Sequence, residues 1–240
     1  MQDGLYVALS AQVALERRLT TVADNVANAS TVGFRATGIR FEQVVNGTGN
    51  DAVSFSSTGN TYISSHLGSL RETGNPFDFA IQGDAWFGIE TPVGTVMTRD
   101  GRFSMLDTGQ LVTIEGYPVL DAGGAPIQLD PRNGTPDAGA DGALLQDGQP
   151  VGTIGLFEFN PGEDFVRFGN SGLVPQTEPE PVVDRMDAGV VQGFVEESNV
   201  NPVLEMTRLI MVQRSFENIA SAMRSTEQTF GEAIKALGGK

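Results

Sequence analysis

The chain has 240 residues, of which 40% are hydrophobic, with one histidine, no cysteine and a formal net charge of −15. This composition excludes a disulfide framework, a thiolate metal site, a cysteine nucleophile and a two-histidine zinc site built from one chain. An acidic surface also argues against nucleic acid as a partner, because nucleic-acid binders concentrate Lys and Arg.

The charge is unevenly distributed. Residues 1–35 have a net charge of 0 and residues 199–240 a net charge of +1, so residues 36–198 carry −16. The middle also holds 25 of the 30 glycines and 11 of the 12 prolines. We therefore expect two nearly neutral ends around an acidic, turn-rich centre. The sequence contains no apolar run of 18 residues and no signal-like N-terminal pattern, so we expect neither a membrane span nor a cleaved signal peptide.

The N-terminal segment has a helical period. Its mostly apolar positions alternate in spacing between three and four residues: Leu5, Ala8, Gln12, Leu15, Leu19, Val22, Val26 and Ala29. An average spacing of 3.5 places a narrow apolar stripe on a helix and favours left-handed winding around a partner helix.

The centre has the features of antiparallel β structure. Segments rich in β-branched or aromatic residues stand at 77–81, 93–98, 111–114, 117–120 and 153–159. Between them lie Asp-Gly and Asn-Gly pairs such as Asn133-Gly134 and Asp147-Gly148, which favour hairpin turns because both residues tolerate positive φ. Short strands with frequent turns predict a small β domain.

The C-terminal segment predicts a second helix, which begins at Asn201-Pro202 because Asn caps free amides and Pro suits the first helical position. At about 1.5 Å per residue, this helix is roughly 50 Å long, more than a small domain can cover. Its stripe is therefore expected to meet the N-terminal helix and helices of neighbouring chains, although packing on a globular core is the alternative. The stripe consists of Leu209, Val212, Phe216, Ile219, Met223, Thr226, Phe230, Ala233 and Leu237.

Candidate chemical sites are weak. Asp137 to Gly142 begins like a calcium loop, but its third position is Gly139 and its twelfth is Gly148, so a pair of turns is the better interpretation. His66 lies in a polar stretch and is interpreted as a surface loop histidine. Trp86-Phe87 is interpreted as core. We predict no catalytic residue, no metal and no cofactor.

Motifs along the whole chain resemble those of bacterial flagellar rod and hook proteins. The first runs from Asn25 to Arg35 (NVANASTVGFR), and the last combines Ser198 to Val203 (SNVNPV) with Gln213 to Glu217 (QRSFE). Between them, TGNP, AIQGD, TRDG and EGYPV at 73–76, 80–84, 98–101 and 115–119 are similar to the family's central segment. Within the family, the chain is most similar to the proximal-rod member, with the distal-rod member as runner-up and hook protein as a weaker match.

The resemblance implies an α+β fold in which N- and C-terminal helices form a coiled-coil-like axial domain and a central antiparallel β domain lies outside it. The implied boundaries are 1–35 and 199–240 for the axial domain, 36–75 for an extended connector and 76–198 for the β domain. Gly33 is expected to supply an unusual backbone angle, and Asn25 and Asn28 to form hydrogen bonds between subunits, with local capping as the alternative. The expected assembly residues are Leu15, Leu19, Val22, Asn25, Val26, Asn28, Gly33, Phe34, Leu209, Val212, Phe216, Ile219, Met223, Phe230 and Leu237.

The function implied is that of a non-enzymatic subunit of the rod that crosses the periplasm, exported through the flagellar type III apparatus. Its expected partners are copies of itself, other rod proteins and that apparatus. A hypothesis of another class is an extracellular carbohydrate-acting or carbohydrate-binding protein, since glycoside hydrolysis needs only two carboxylates. No particular pair of carboxylates is indicated by the sequence.

Overall fold

A computed structural model of the chain describes residues 2–41, 43–46, 53–56, 59–162, 165–182 and 188–238. The chain divides into two compact units, each made of separate stretches. The helical unit comprises Met1–Ala27, Thr37–Thr61 and Asn201–Lys240. The β unit comprises Asn28–Ala36 and Tyr62–Val200.

The helical unit is built on α1 (Gln2–Ala27) and α2 (Pro202–Gly238), which pack against each other. α2 begins as predicted, because Asn201 Oδ1 accepts the Leu204 N–H at 3.1 Å and the Asn201 carbonyl accepts the Glu205 N–H at 3.0 Å. α1 ends at Ala27, earlier than the stripe suggested, and the chain then turns, with the Thr31 N–H donating to the Asn28 carbonyl.

The stretch 36–75, expected as an extended connector, instead contains paired strands. These are β1 (Thr37–Arg40), β2 (Gln43–Asn46), β3 (Val53–Ser56), β4 (Asn60–Ile63) and β5 (Leu70–Glu72). β1 pairs with β4, and β2 pairs antiparallel with β3 from Gln43↔Ser56 to Asn46↔Val53. Hydrogen bonding between strands explains why this polar stretch has regular structure. Residues 48–50 and Ser57, also assigned to the connector, lie outside the described residues.

The β unit is antiparallel, as predicted. Besides β5, its strands are β6 (Phe79–Gln82), β7 (Trp86–Thr91), β8 (Gly94–Thr98), β9 (Phe103–Met105), β10 (Leu111–Thr113), β11 (Asp137–Ala138), β12 (Ala143–Gln146), β13 (Gln149–Thr153), β14 (Leu156–Glu158), β15 (Val166–Phe168), β16 (Gly172–Val174), β17 (Glu180–Pro181), β18 (Gly189–Gln192) and β19 (Phe194–Glu196). The main sheet has six strands in the order β15-β16-β8-β7-β14-β17, and β18 and β19 pair with β6 and β5.

The central strands of the main sheet are covered on both faces. Successive residues of a strand point to opposite faces, and here both sets are buried. Phe87, Ile89 and Val96 join the larger core cluster, whereas Trp86 and Met97 join a smaller one with Phe157 and Leu173. Trp86-Phe87 is therefore core, as the sequence predicted.

The turn predictions are largely confirmed. Asp147 and Gly148 both have positive φ, at 50° and 73°, and join β12 to β13 as a two-residue hairpin turn. One predicted strand differs: residues 117–120 make only isolated bridges, such as Val119 with Ile89 and Pro118 with Val112. The α+β fold class is confirmed. Neither described helix is long and apolar enough to cross a membrane.

Candidate functional site

The predicted apolar stripes face the interior of the chain. On α1, Val22 is buried, whereas Leu15, Leu19 and Val26 are half-buried. On α2, Val212 is 3% exposed, and the half-buried positions are Leu209, Phe216, Ile219 and Met223. Phe230 and Leu237 belong to α2, but their side chains lie outside the described residues. The stripes are therefore used, at least over these positions, for packing within one molecule.

A second apolar surface of α2 is open. Val203, Met206 and Ile210 follow the i, i+3, i+7 spacing that places side chains on one helix face, and this face is opposite Val212. We call these three residues the outer face. They are 74%, 52% and 51% exposed, and Leu204 and Met211 beside them are also about half exposed. The predicted stripe of α2 does not include this surface, because the apolar side chains of the outer face occupy only the first three turns of the helix.

The two asparagines of the N-terminal motif make contacts within the chain. Asn25 is 3% exposed, and its amide pairs with the backbone of Thr37, donating to the carbonyl at 2.9 Å and accepting from the N–H at 2.9 Å. Asn28 lies beyond the end of α1, and its Oδ1 accepts the Thr31 hydroxyl at 3.1 Å. Both side chains therefore have partners within the chain, Asn25 on β1 and Asn28 in the turn after α1, and their hydrogen bonding between subunits stays a prediction.

Gly33 has the positive φ that the sequence predicted, 70°. The structure adds a second reason for glycine, because a Cβ built here would lie 2.3 Å from the backbone nitrogen of Asp100. Phe34 follows, 2% exposed, with the Arg167 guanidinium 4.4 Å above its ring centroid. Gly33 and Phe34 thus anchor the segment after α1 inside the β unit.

Next to this anchor lies a buried group of charges that we call the arginine–glutamate cluster, formed by Arg35, Arg99 and Glu196. Glu196 Oε1 is 3.2 Å from Arg35 Nη2, and Glu196 Oε2 is 3.4 Å from Arg99 Nη1. The three side chains are between 0% and 3% exposed. Two guanidinium groups therefore share one carboxylate in a site closed to solvent.

Trp86 forms part of the wall of this cluster. Its ring centroid is 5.7 Å from Arg35 Cζ and 5.6 Å from Arg99 Cζ, so one aromatic ring serves two cations. Burial lowers the pKa of Arg99 to about 10 and also lowers the pKa of Arg35, while Glu196 opposes both shifts. Glu196 is thus the main counter-charge of the two arginines, with a smaller contribution from Asp84.

Backbone carbonyl groups accept hydrogen bonds from several of the other guanidinium donors. Arg99 Nη2 donates to the Gly83 carbonyl at 2.7 Å, and Arg35 Nη1 donates to the carbonyls of Ser65 and His66. His66 itself is exposed in a loop, as predicted, and only its carbonyl takes part. The cluster therefore joins five stretches of chain, at Arg35, 65–66, Gly83, Arg99 and Glu196.

Sequence reasoning did not select Arg35, Arg99 or Glu196, although a signal was present. Arg35 and Arg99 lie inside two of the family-like motifs, and Glu196 stands two residues before Ser198, where the last motif begins. A charged residue at the end of an apolar strand or beside a structural glycine is a candidate for a buried pair. Which charges meet could not be read from the sequence.

The surroundings of the candidate chemical residues do not support catalysis. A cavity of about 180 Å³ in the β unit is lined by Asp100, Arg102 and Tyr117 among others. Of these, Asp100 and Arg102 are committed to each other, because Arg102 donates to both Asp100 oxygens, at 2.9 and 2.5 Å. In the calcium-like stretch, Asp141 Oδ1 accepts the Ala143 N–H at 3.1 Å, as a turn residue does. Over the described residues, no group of three acidic or histidine side chains is arranged to hold a metal ion.

Comparisons with known proteins agree along the chain. Family models match residues 5–35 (Flagella basal body rod protein), 80–146 (Flagellar hook protein FlgE/F/G D1 domain) and 191–236 (Flagellar basal body rod FlgEFG protein C-terminal). Arg35, Arg99 and Glu196 fall one in each matched region.

Three similar curated proteins have the description "Flagellar basal-body rod protein FlgF". The protein of Mesorhizobium japonicum is 73% identical, with 100% of both chains covered. That of Rhizobium meliloti is 55% identical over 100% of this chain and 99% of the relative, and that of Caulobacter vibrioides is 38% identical over 99% of each. The chain belongs to the flagellar basal-body rod protein FlgF family.

Proposed function

We propose that the chain is a structural subunit of the proximal part of the flagellar rod, which assembles with copies of itself and with other rod proteins. The family is one of structural proteins, so no enzymatic role is assigned. The single observation that supports assembly most directly is the outer face of α2, where large apolar side chains stand in solvent at consecutive turns. Exposed apolar surface of this kind is typical of protein–protein contacts.

We also propose that the two faces of α2 have different roles. The inner face, around Val212, holds the two terminal helices together, and their 3.5-residue stripes are consistent with coiled-coil-like packing. The outer face is left for a neighbouring subunit. Beyond Met211 the exposed positions become polar, with Gln213, Arg214 and Glu217, so the contact is confined to the first part of α2.

The location follows from the same role. The rod crosses the periplasm, and we propose that the chain reaches it through the flagellar type III export apparatus. The acidic β unit is suited to the outside of the assembly, because like charges keep such surfaces soluble and apart, whereas the nearly neutral ends suit mutual packing.

The experiment compares two single variants of α2, each with one negative charge at a different exposed position. Ile210→Asp should abolish swimming and remove the subunit from isolated hook–basal bodies, because it puts an ion into an apolar contact. Ser215→Asp adds the same charge at an exposed position five residues away and roughly 140° around the helix from Ile210, outside the outer face, and should swim normally. Both purified variants should keep the unfolding transition of the unaltered chain.

A variant of the inner face separates assembly from folding. Phe216→Asp should also abolish assembly and motility, with the β unit still folded, but it should disturb the helical unit of the purified monomer as well. Normal swimming of Ile210→Asp would contradict the outer-face proposal, and normal swimming of Phe216→Asp would contradict the role of the stripe.

A further inference from the structure

The arginine–glutamate cluster joins the segment that follows α1 to the segment that precedes α2. We propose that it acts as an interlock: the segments 33–36, 64–69 and 196–199 become ordered together, in one step that requires the carboxylate of Glu196. The proposal concerns the isolated chain, and only its consequence for rod assembly rests on the proposed function.

The charge count of the site favours joint ordering. Before Glu196 arrives, the interior would have to hold the guanidinium groups of Arg35 and Arg99 beside the same Trp86 ring, with only the weaker influence of Asp84 to offset their charge. Burying uncompensated charge is strongly unfavourable. In the described part of the chain, the buried Nε donors of Arg35 and Arg99 also have no hydrogen-bond partner. Their burial costs free energy, so the site depends on its remaining favourable contacts.

Glu196 connects all three segments. Its side chain accepts the Gly68 N–H at 3.0 Å, and its backbone carbonyl accepts the Gly33 N–H at 2.8 Å. Neither glycine can be replaced without collision, since a Cβ at Gly68 would lie 1.8 Å from the Glu197 carbonyl oxygen. One residue of β19 therefore determines the positions of two distant turns.

Hydrogen bonds next to the cluster join the same three segments. Asn199 Oδ1 accepts the Ala36 N–H at 2.7 Å, and Asn199 Nδ2 donates to the His66 carbonyl at 2.7 Å. The Ser64 N–H donates to the Ala36 carbonyl at 2.8 Å. Each of the three segments is thus bonded to both others, which is the condition for a cooperative unit.

The interlock has a consequence for a rod subunit. Residues 33–36 lie close in sequence to the end of α1, and residues 196–199 lie just before α2. If the interlock holds, neither of these two segments becomes ordered before the other is in place. A chain whose C-terminal segment has not yet arrived would leave residues 33–36 unordered. Completion of the β unit is thereby delayed until the whole chain is present.

The experiment uses the full chain with Glu196→Gln, which keeps the shape of the side chain and removes its charge. The matched control is Glu197→Gln, whose carboxylate is in an exposed pair with Arg71. Amide hydrogen exchange is measured on peptides covering the three segments. We expect Glu196→Gln to accelerate exchange in all three by a similar factor, on the order of a hundredfold, with strands β7 and β8 less affected. Glu197→Gln should change each by less than about threefold.

Acceleration confined to residues near 196, with unchanged exchange at Gly33, would overturn the interlock. If Glu196→Gln unfolds the β unit altogether, amide exchange of the unaltered chain, measured over a range of denaturant concentrations, tests the proposal instead. Its amides at Gly33, Ala36, Gly68 and Asn199 should then share one opening reaction, with the same dependence on denaturant. Distinct openings for Gly33 and Gly68 would refute the proposal.

Discussion

The helical unit and the β unit protect their apolar side chains in different ways. In the β unit, strands β7 and β8 are buried on both faces, and the two interior arginines pair with one buried carboxylate. In the helical unit, α2 buries Val212 on one face and leaves Val203, Met206 and Ile210 exposed on the other. The β unit also exposes large apolar side chains, such as Val93, Ile114 and Val166, but these are far apart in sequence. The comparison teaches that α2 differs by presenting its exposed apolar side chains at consecutive turns of one helix face.

The largest expected effect tests how tightly the β unit is closed. Gly33→Ala should lower the free energy of unfolding by at least about 3 kcal/mol, because the new methyl group would overlap backbone atoms of Arg99 and Asp100. Gly74→Ala is the matched control, since Gly74 has nearly the same φ, 69°, but no atom within 4 Å of its built Cβ. It should cost about 1 kcal/mol, the penalty for a left-handed backbone alone.

Chemical denaturation of both glycine variants measures this difference. Equal losses at Gly33 and Gly74 would mean that the close approach to Asp100 is not important, and that the segment after α1 is less firmly anchored than the structure shows.

A smaller effect is expected from the polar contact that holds β1 in the helical unit. Asn25→Ala removes both partners of the Thr37 backbone and should cost about 2 kcal/mol. Exchange of the Thr37 amide should accelerate accordingly. Arg18→Ala, at an exposed position of the same helix, should change stability by less than about 0.5 kcal/mol. A loss of assembly in Asn25→Ala without any loss of monomer stability would restore the intersubunit role for this side chain.

The smallest effects compare the two faces of α2 in the monomer. Val212→Ala should destabilise the helical unit by about 1–2 kcal/mol through the lost buried methyl groups. Ile210→Ala should leave the thermal midpoint of the monomer nearly unchanged, since Ile210 is half exposed. The reverse order in thermal unfolding would show that the inner and outer faces have been exchanged.

Several features could be predicted because they depend on neighbours in sequence. The start of α2 follows from Asn201 and Pro202, whose capping is local. The Asp147-Gly148 turn follows from the tolerance of both residues for positive φ. The connector was predicted less well, because the pairing of β1 with β4 and of β2 with β3 is decided by backbone hydrogen bonds between segments, which polar composition does not reveal.

The candidate site was predicted only in part, and for the same reason. The stripe of α2 was found, but its period cannot say whether Val212 meets the same chain or another. Asn25 was identified as important from its motif, yet its partner, Thr37, became visible only in the fold.

The sequence by itself determined the two terminal helices, the acidic turn-rich centre and the family. Helix periodicity, capping and turn chemistry depend only on residues that are close together in sequence. Only the tertiary structure decided that Arg35, Arg99 and Glu196 meet around Trp86, and that Gly33 must pass close to Asp100. These residues are separated by tens of positions, and their encounter depends on how whole strands pack and on the need to balance charge in a closed interior.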